Sequence, residues 1–298
     1  MNELSGRTAL VTGASRGIGA AISMRLAAAG AQVAVTARTL RAEDSSIEGS
    51  LLATVDAIRR QDGTASAFVA DLADPKQSRQ ELVESVARSL GPVDILVNNA
   101  AANFYQPLEA MSAKRFAIAT EVNLHAPLAL AQAVLPGMRE AGAGWILNIS
   151  SATAEMPQRH PSTGTSGPLL YVATKAALER ATAALAEELY PVGIAVNSLA
   201  PQAGVRTAAA EQYYQLPEES VEPVETMAEA ALALCSGDPR FLTGRIMRSL
   251  EFLVEAARPV HQLDGLALLD GWQPEDIPAS RLTHTNTSTD ESALRTSE

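Results

Sequence analysis

The chain has 298 residues, 47% hydrophobic and 19% charged, enough to bury a sizeable core in one large α/β domain or two small ones. Its 23 basic and 34 acidic residues leave a formal charge of −11, so nucleic-acid binding has no electrostatic support and an anionic ligand must rely on local donors. The single cysteine, Cys235, excludes an internal disulfide and any multi-cysteine metal site, and four scattered histidines without ligand spacing leave no metal to assign.

Residues 1–6 run almost directly into a strand, which leaves no room for a secretory leader, and no apolar run reaches membrane-spanning length. The expectation is a cytoplasmic protein with no membrane or nucleic-acid partner. Thr8–Thr12 form an apolar run, a Gly-rich turn follows, residues 20–29 have helical character, and Val33-Ala34-Val35 return as a strand. Strand, turn, helix and strand within about 30 residues make a βαβ unit. Further strands are expected at 66–70, 93–97, 145–149 and 194–199, with a seventh near 245–250 closing one edge. Helices are expected at 51–61, 76–90, 112–140 and 170–189. Near-continuous apolar strands alternating with helices predict a mainly parallel, doubly wound Rossmann-type sheet covered on both faces. The catalytic domain is expected to span 1–252, followed by an extension over 253–298 that is mobile from about 273, where large apolar residues become sparse.

Gly13, Gly17 and Gly19 lie between the first strand and the first helix, where backbone N–H groups can approach a pyrophosphate at a helix N-terminus. Ser15, Arg16 and Ile18 share that turn. A ribose 2′-hydroxyl calls for an acid at the end of the second strand, but this chain has Ala37-Arg38 there. A 2′-phosphate instead calls for a planar cation, and Arg38 with Arg16 supplies two. The expected cofactor is NADP(H), preferred over NAD(H).

Tyr171 and Lys175, spaced i, i+4, project from one face of a helix. A free phenol ionises near pH 10, and a cation about 4 Å away supplies roughly the 4 kcal/mol needed to bring it toward neutrality. Such a pair can act as a general acid or base. Ser150 and Ser151 close the fifth strand, Asn98-Asn99-Ala100 end the fourth, and Asn123 lies in the long helical stretch. In a doubly wound sheet these strand ends converge on one crevice.

With those pieces assembled, the sequence resembles the short-chain dehydrogenases/reductases. The matching motifs are Thr12-Gly13-x-x-x-Gly17-x-Gly19, Asp71-Leu72, Asn98-Asn99-Ala100, Asn123, Asn148-Ile149-Ser150-Ser151, Tyr171-x-x-x-Lys175 and Asn197-x-x-x-Pro201, in family order across roughly residues 6–250. The resemblance implies that Tyr171 exchanges the proton and that Lys175 holds the nicotinamide ribose and favours the phenolate. It also implies that Ser151 orients the substrate oxygen and that Asn123 anchors a relay water. Asp71 and Leu72 would contact adenine, Asn98 and Ala100 would flank the cofactor, and Pro201 and Thr207 complete the cofactor set. The insertion at 39–50 and the Arg206-Thr207-Ala208-Ala209 stretch look most like hydroxysteroid dehydrogenase-like members. Departures from the family pattern are Ala101 and Gln202 in place of glycines and a long Ser151–Tyr171 interval.

The expected reaction is hydride transfer between the nicotinamide and an alcohol or ketone. Met156, Tyr213, Tyr214 and Leu216 suggest a bulky apolar substrate. A non-catalytic cofactor binder, which would have no need of Tyr171, and a dehydratase or epimerase on the same fold are the alternatives. Alanines 173, 177 and 184 flatten one side of the 170–189 helix, through which the family commonly forms homodimers or homotetramers.

Overall fold

The computed structural model describes residues 3–104, 106–155, 169–207 and 221–282. Strands β1 (Thr8–Thr12), β4 (Ile95–Asn98), β5 (Gly144–Ile149) and β6 (Ile194–Ala200) are buried at every position. Runs of Val, Ile, Leu and Ala tolerate that burial because a parallel sheet is covered on both faces. With β2 (Gln32–Ala37), β3 (Thr64–Val69) and β9 (Ile246–Arg248) they form one seven-stranded parallel sheet in the order β3-β2-β1-β4-β5-β6-β9. Strand order reverses between β1 and β4, which places the crevice at their carboxyl ends. A short parallel ladder joins β7 (Gly204–Val205) to β8 (Val221–Glu222).

One face of the sheet packs against α1 (Gly17–Ala28), α2 (Leu51–Arg59) and α7 (Val224–Leu234), with Ile22, Leu26, Val55, Met227 and Leu232 in the core. The other packs against α3 (Arg79–Leu90), α5 (Ala126–Ala141) and α6 (Leu169–Leu189) through residues such as Val86, Leu130, Met138 and Leu189. Serines start three of the helices. Ser50 caps α2, Ser78 caps α3, and Ser112 caps α4 (Ala113–Thr120), each accepting from the backbone N–H three residues on.

The expected helix over 112–140 is divided. Helix α4 ends at Thr120, a π turn runs from Glu121 to His125, and α5 begins at Ala126. The expected edge strand over 245–250 stops at Arg248, and α8 (Ser249–Glu255) takes over. Leu250 and Leu253, three residues apart, are both fully buried, which helical spacing permits.

The extension, expected to be mobile from about residue 273, is described as far as Leu282. Residues 253–282 lie against the domain, with Val260 and Ile277 buried and Trp272 packed on the core. The Gln273 amide donates to the carbonyls of Val260 and Leu269, and the Arg281 guanidinium donates to Val221 O at 2.7 Å. Fully buried Glu229 on α7 joins the two parts by pairing with Arg25 at 2.8 Å and Arg258 at 2.7 Å. Residues beyond Leu282 lie outside the described range.

Candidate active site

The glycine turn is shaped by what touches it. Gly13 has φ +65°, and a Cβ there would stand 2.9 Å from Ala100 Cα. A Cβ on Gly19 would collide with the Asn99 amide and the Gly13 carbonyl, so side chains are excluded and the backbone stays open. Asn99 holds the turn by donating from Nδ2 to Thr12 O at 2.9 Å and Gly13 O at 3.2 Å. The backbone N–H of Ala100 donates to Thr12 Oγ1 at 3.0 Å, fixing the end of β4 against β1. Unlike α2, α3 and α4, α1 has no side-chain cap, and like α2 and α4 it has no acid in its first turn. Its free N–H groups and the positive end of its dipole suit a pyrophosphate. Thr207 faces this cradle, its methyl 3.2 Å from where a Gly17 side chain would begin. Ser15 is buried in the turn, and Ile18 packs against the core below it.

The insertion after β2 acts on this cradle. Arg16 donates from Nη2 to Thr39 Oγ1, Ser45 Oγ and Gly49 O at 3.4, 3.2 and 3.0 Å. Partial burial, and then the neighbouring Arg38 cation, push the Arg16 pKa below its ordinary value. Arg38 itself is 74% exposed, with Nε 4.0 Å from Asp71 Oδ1. Two guanidinium groups and one half-exposed carboxylate thus share the end of β2. Leu72 is buried in the second core cluster.

At the ends of β5 and β6 the side chains interlock. Lys175 is 1% exposed; its Nζ donates to Ile149 O at 2.6 Å and lies 5.7 Å from the centre of the Tyr171 ring. Burial pushes its pKa down to about 8 against the opposing pull of Glu179. Ser150 and Ser151 separate in role. Ser150 is buried and donates to Glu179 Oε1 at 2.6 Å, whereas Ser151 is partly exposed and caps the short turn Ala152–Ala154. Asn123 is fully buried in the π turn. Its Oδ1 accepts from Ala102 N, and its Nδ2 donates to Ala102 O and Thr174 Oγ1. Those bonds tie α4–α5 to α6 and to the loop after β4, so its side chain is occupied by protein.

The Asn98 amide is buried and donates to Asn148 Oδ1 at 2.9 Å, while its neighbour Asn99 meets the glycine turn. Pro201 follows β6, and the backbone N–H of Gln202 donates to Ser249 Oγ at 3.0 Å. Met156, Tyr213, Tyr214 and Leu216 lie outside the described residues.

The glycine turn, the Tyr-Lys pair beside the β5 end and Asn123 in the π turn are motifs by which the sequence resembles the short-chain dehydrogenases/reductases. A family model described as short chain dehydrogenase matches residues 7–216. The chain belongs to the short-chain dehydrogenase family. It is 36% identical over 200 residues to the L-xylulose reductase of Bos taurus, covering 67% of this chain and 72% of that protein. The gluconate 5-dehydrogenase of Gluconobacter oxydans is 32% identical over 255 residues, 82% of this chain and 93% of its own. A crystal structure of a 3-oxoacyl (acyl-carrier-protein) reductase from Agrobacterium tumefaciens C58 with NADP bound superposes with a TM-score of 0.70 at 33% identity, covering 82% of this chain and 93% of that one. The chain is therefore an oxidoreductase of CH–OH and C=O groups on an NAD(P)-binding fold. Among the described residues, no helix is long and apolar enough to cross a membrane.

Reading the sequence alone assigned no role to Asn99, Glu179 or the insertion at 39–50. Asn99 was visible as half of an Asn-Asn pair. Glu179 carried a weaker signal, being one turn beyond Lys175 on the same helix face.

Proposed function

We propose that this short-chain dehydrogenase uses NADP(H) to interconvert an alcohol and a ketone, with Tyr171 as proton donor and acceptor. The observation that carries the reading is buried Lys175, its Nζ on Ile149 O at the end of β5 and close to the Tyr171 ring. A cation placed there favours the phenolate, so the phenol releases its proton more readily than in water. Ser151, whose hydroxyl is more accessible than that of Ser150, would hold the substrate oxygen. Because the Asn123 side chain is engaged, any relay water would be held by a main-chain carbonyl loosened by the π turn. Gly13, Gly17, Gly19 and Thr207 would hold the pyrophosphate and its neighbours, with Arg16 and Arg38 at the adenosine 2′-phosphate. When bound, the nicotinamide supplies or accepts the hydride. Exposed Ala173 and Ala184 on α6 support a homodimer or homotetramer.

The test is NADPH oxidation with ketones of rising apolar area, acetone through 2-octanone to a decalone, and with xylulose as a polar member. Tyr171→Phe should lower turnover by about 10²-fold or more while retaining NADPH binding. Near-normal turnover by that variant refutes the assignment. Preference for a bulky apolar ketone rests on Met156, Tyr213, Tyr214 and Leu216, and a flat or falling trend along the series rejects it.

A further inference from the structure

Resting on the oxidoreductase reading above, we propose that Glu179 is a positioning residue for hydride transfer. Its carboxylate fixes the end of β5 that carries Ser151 and supplies the counter-charge for Lys175. Glu179 lies one helical turn after Lys175, and its side chain is only 14% exposed. Lys175 holds the carbonyl of Ile149, and Glu179 holds the hydroxyl of the next residue, Ser150, at 2.6 Å. The Ser150 backbone N–H donates to Leu199 O at 2.8 Å, completing the grip on β5 just before Ser151. Behind Glu179 stands Arg248, 4% exposed, at the end of β9. Its Nη1 lies 3.9 Å from Glu179 Oε1 and has no hydrogen-bond acceptor among the described residues. Its Nη2 pairs with Glu155 Oε1 at 2.5 Å, on the turn that Ser151 caps. One buried guanidinium thus sits between two carboxylates on either side of the candidate catalytic serine.

A purely structural acceptor for Ser150 would not need charge, since glutamine offers the same oxygen. The electrostatics separate the two roles. Facing Glu179 are Lys175 on its own helix, Arg248 from β9, Glu155 from the turn after β5 and the hydroxyl of Ser150. Burial raises the Glu179 pKa, while the Ser150 hydrogen bond and Arg248, and more weakly Lys175, oppose the rise; Glu155 adds to it. Reduction of a ketone requires Tyr171 protonated and Lys175 charged. An ionised Glu179 opposes proton loss from both. Neutralising it therefore lets both protons leave at lower pH, and the alkaline limb of the reductive profile moves down.

The decisive comparison measures kcat/KM for NADPH-dependent reduction of the fastest ketone in the series, from pH 6 to 10, in wild type, Glu179→Gln and Glu179→Asp. The ratio of kcat/KM at pH 9 to that at pH 7 should fall about threefold in Glu179→Gln, as a half-unit displacement of the limb produces, and return toward wild type in Glu179→Asp. Glu179→Ala, which also removes the charge, should move the limb the same way, and it stands in should the glutamine variant not fold. A second readout needs neither cofactor nor substrate. The decline in stability of Lys175→Met relative to the Lys175 protein as pH rises should begin at lower pH in the Glu179→Gln background than in wild type. Coincident limbs and coincident stability windows in an active enzyme would overturn the role of Glu179 alone. A wild type inert toward every ketone would overturn the oxidoreductase reading and this role with it.

Discussion

Lys175→Met is expected to lower turnover while changing stability in a pH-dependent way. Lys175 is completely buried, and burial brings its pKa from 10.5 to about 8. At about 1.36 kcal/mol per unit, holding the cation in that site costs about 3 kcal/mol when both folded and unfolded chains carry the proton. The direction follows from proton counting. Between pH 8 and 10.5 the unfolded chain binds the proton more tightly than the folded one, so wild-type stability rises with pH. The penalty is fully present below the folded pKa and gone above the unfolded one. Methionine removes it at every pH, but leaves Ile149 O without its donor at 2.6 Å, a pH-independent loss of about 1–3 kcal/mol. At pH 7 the variant should thus be between equal in stability to wild type and about 2 kcal/mol more stable. Between pH 7 and pH 10 its standing relative to wild type should decline by about 2–3 kcal/mol. Urea unfolding of both proteins at the two pH values, without cofactor, measures this directly. A free-energy difference that stays constant with pH, or moves in favour of the variant, would refute the buried-cation account.

Two further outcomes are expected. Arg38→Ala should weaken NADPH binding about tenfold and leave NADH nearly unchanged, as titration of both cofactors would show; tighter binding of NADH than NADPH by wild type would remove the basis for the assignment. Ending the chain after Asp270 removes buried Ile277, the packed Trp272 and the Arg281–Val221 hydrogen bond. That should lower stability by about 2–4 kcal/mol in urea, and an unchanged midpoint would mean that the docked segment contributes nothing.

Much of the architecture is legible locally. The glycine spacing at 13, 17 and 19, the alternation of apolar strands with helices, and the i, i+4 placement of Tyr171 and Lys175 depend on residues close in the chain. Local spacing encodes such features because turns and helices are built from neighbours. The misread boundaries have equally local causes. The π turn inserts into a stretch with continuous helical periodicity, and the last strand yields to a helix where Leu250 and Leu253 find a buried face.

The division of labour within adjacent pairs could be decided only by the tertiary structure. Nothing in Ser150-Ser151 says which hydroxyl is taken, until α6 brings Glu179 within 2.6 Å of the first. Nothing in Asn98-Asn99 says which amide reaches the glycine turn, until β1 and β4 lie side by side. The docked extension likewise depends on Arg258 meeting Glu3, 255 positions away in sequence. The sequence by itself determined the fold class, the glycine turn and the i, i+4 Tyr-Lys pair, because short-range periodicity and turn chemistry carry them. The supporting shell of Asn99, Glu179, Arg248 and the 39–50 insertion was decided by the sheet, whose parallel crossovers bring distant strand ends to one edge before any of those contacts can form.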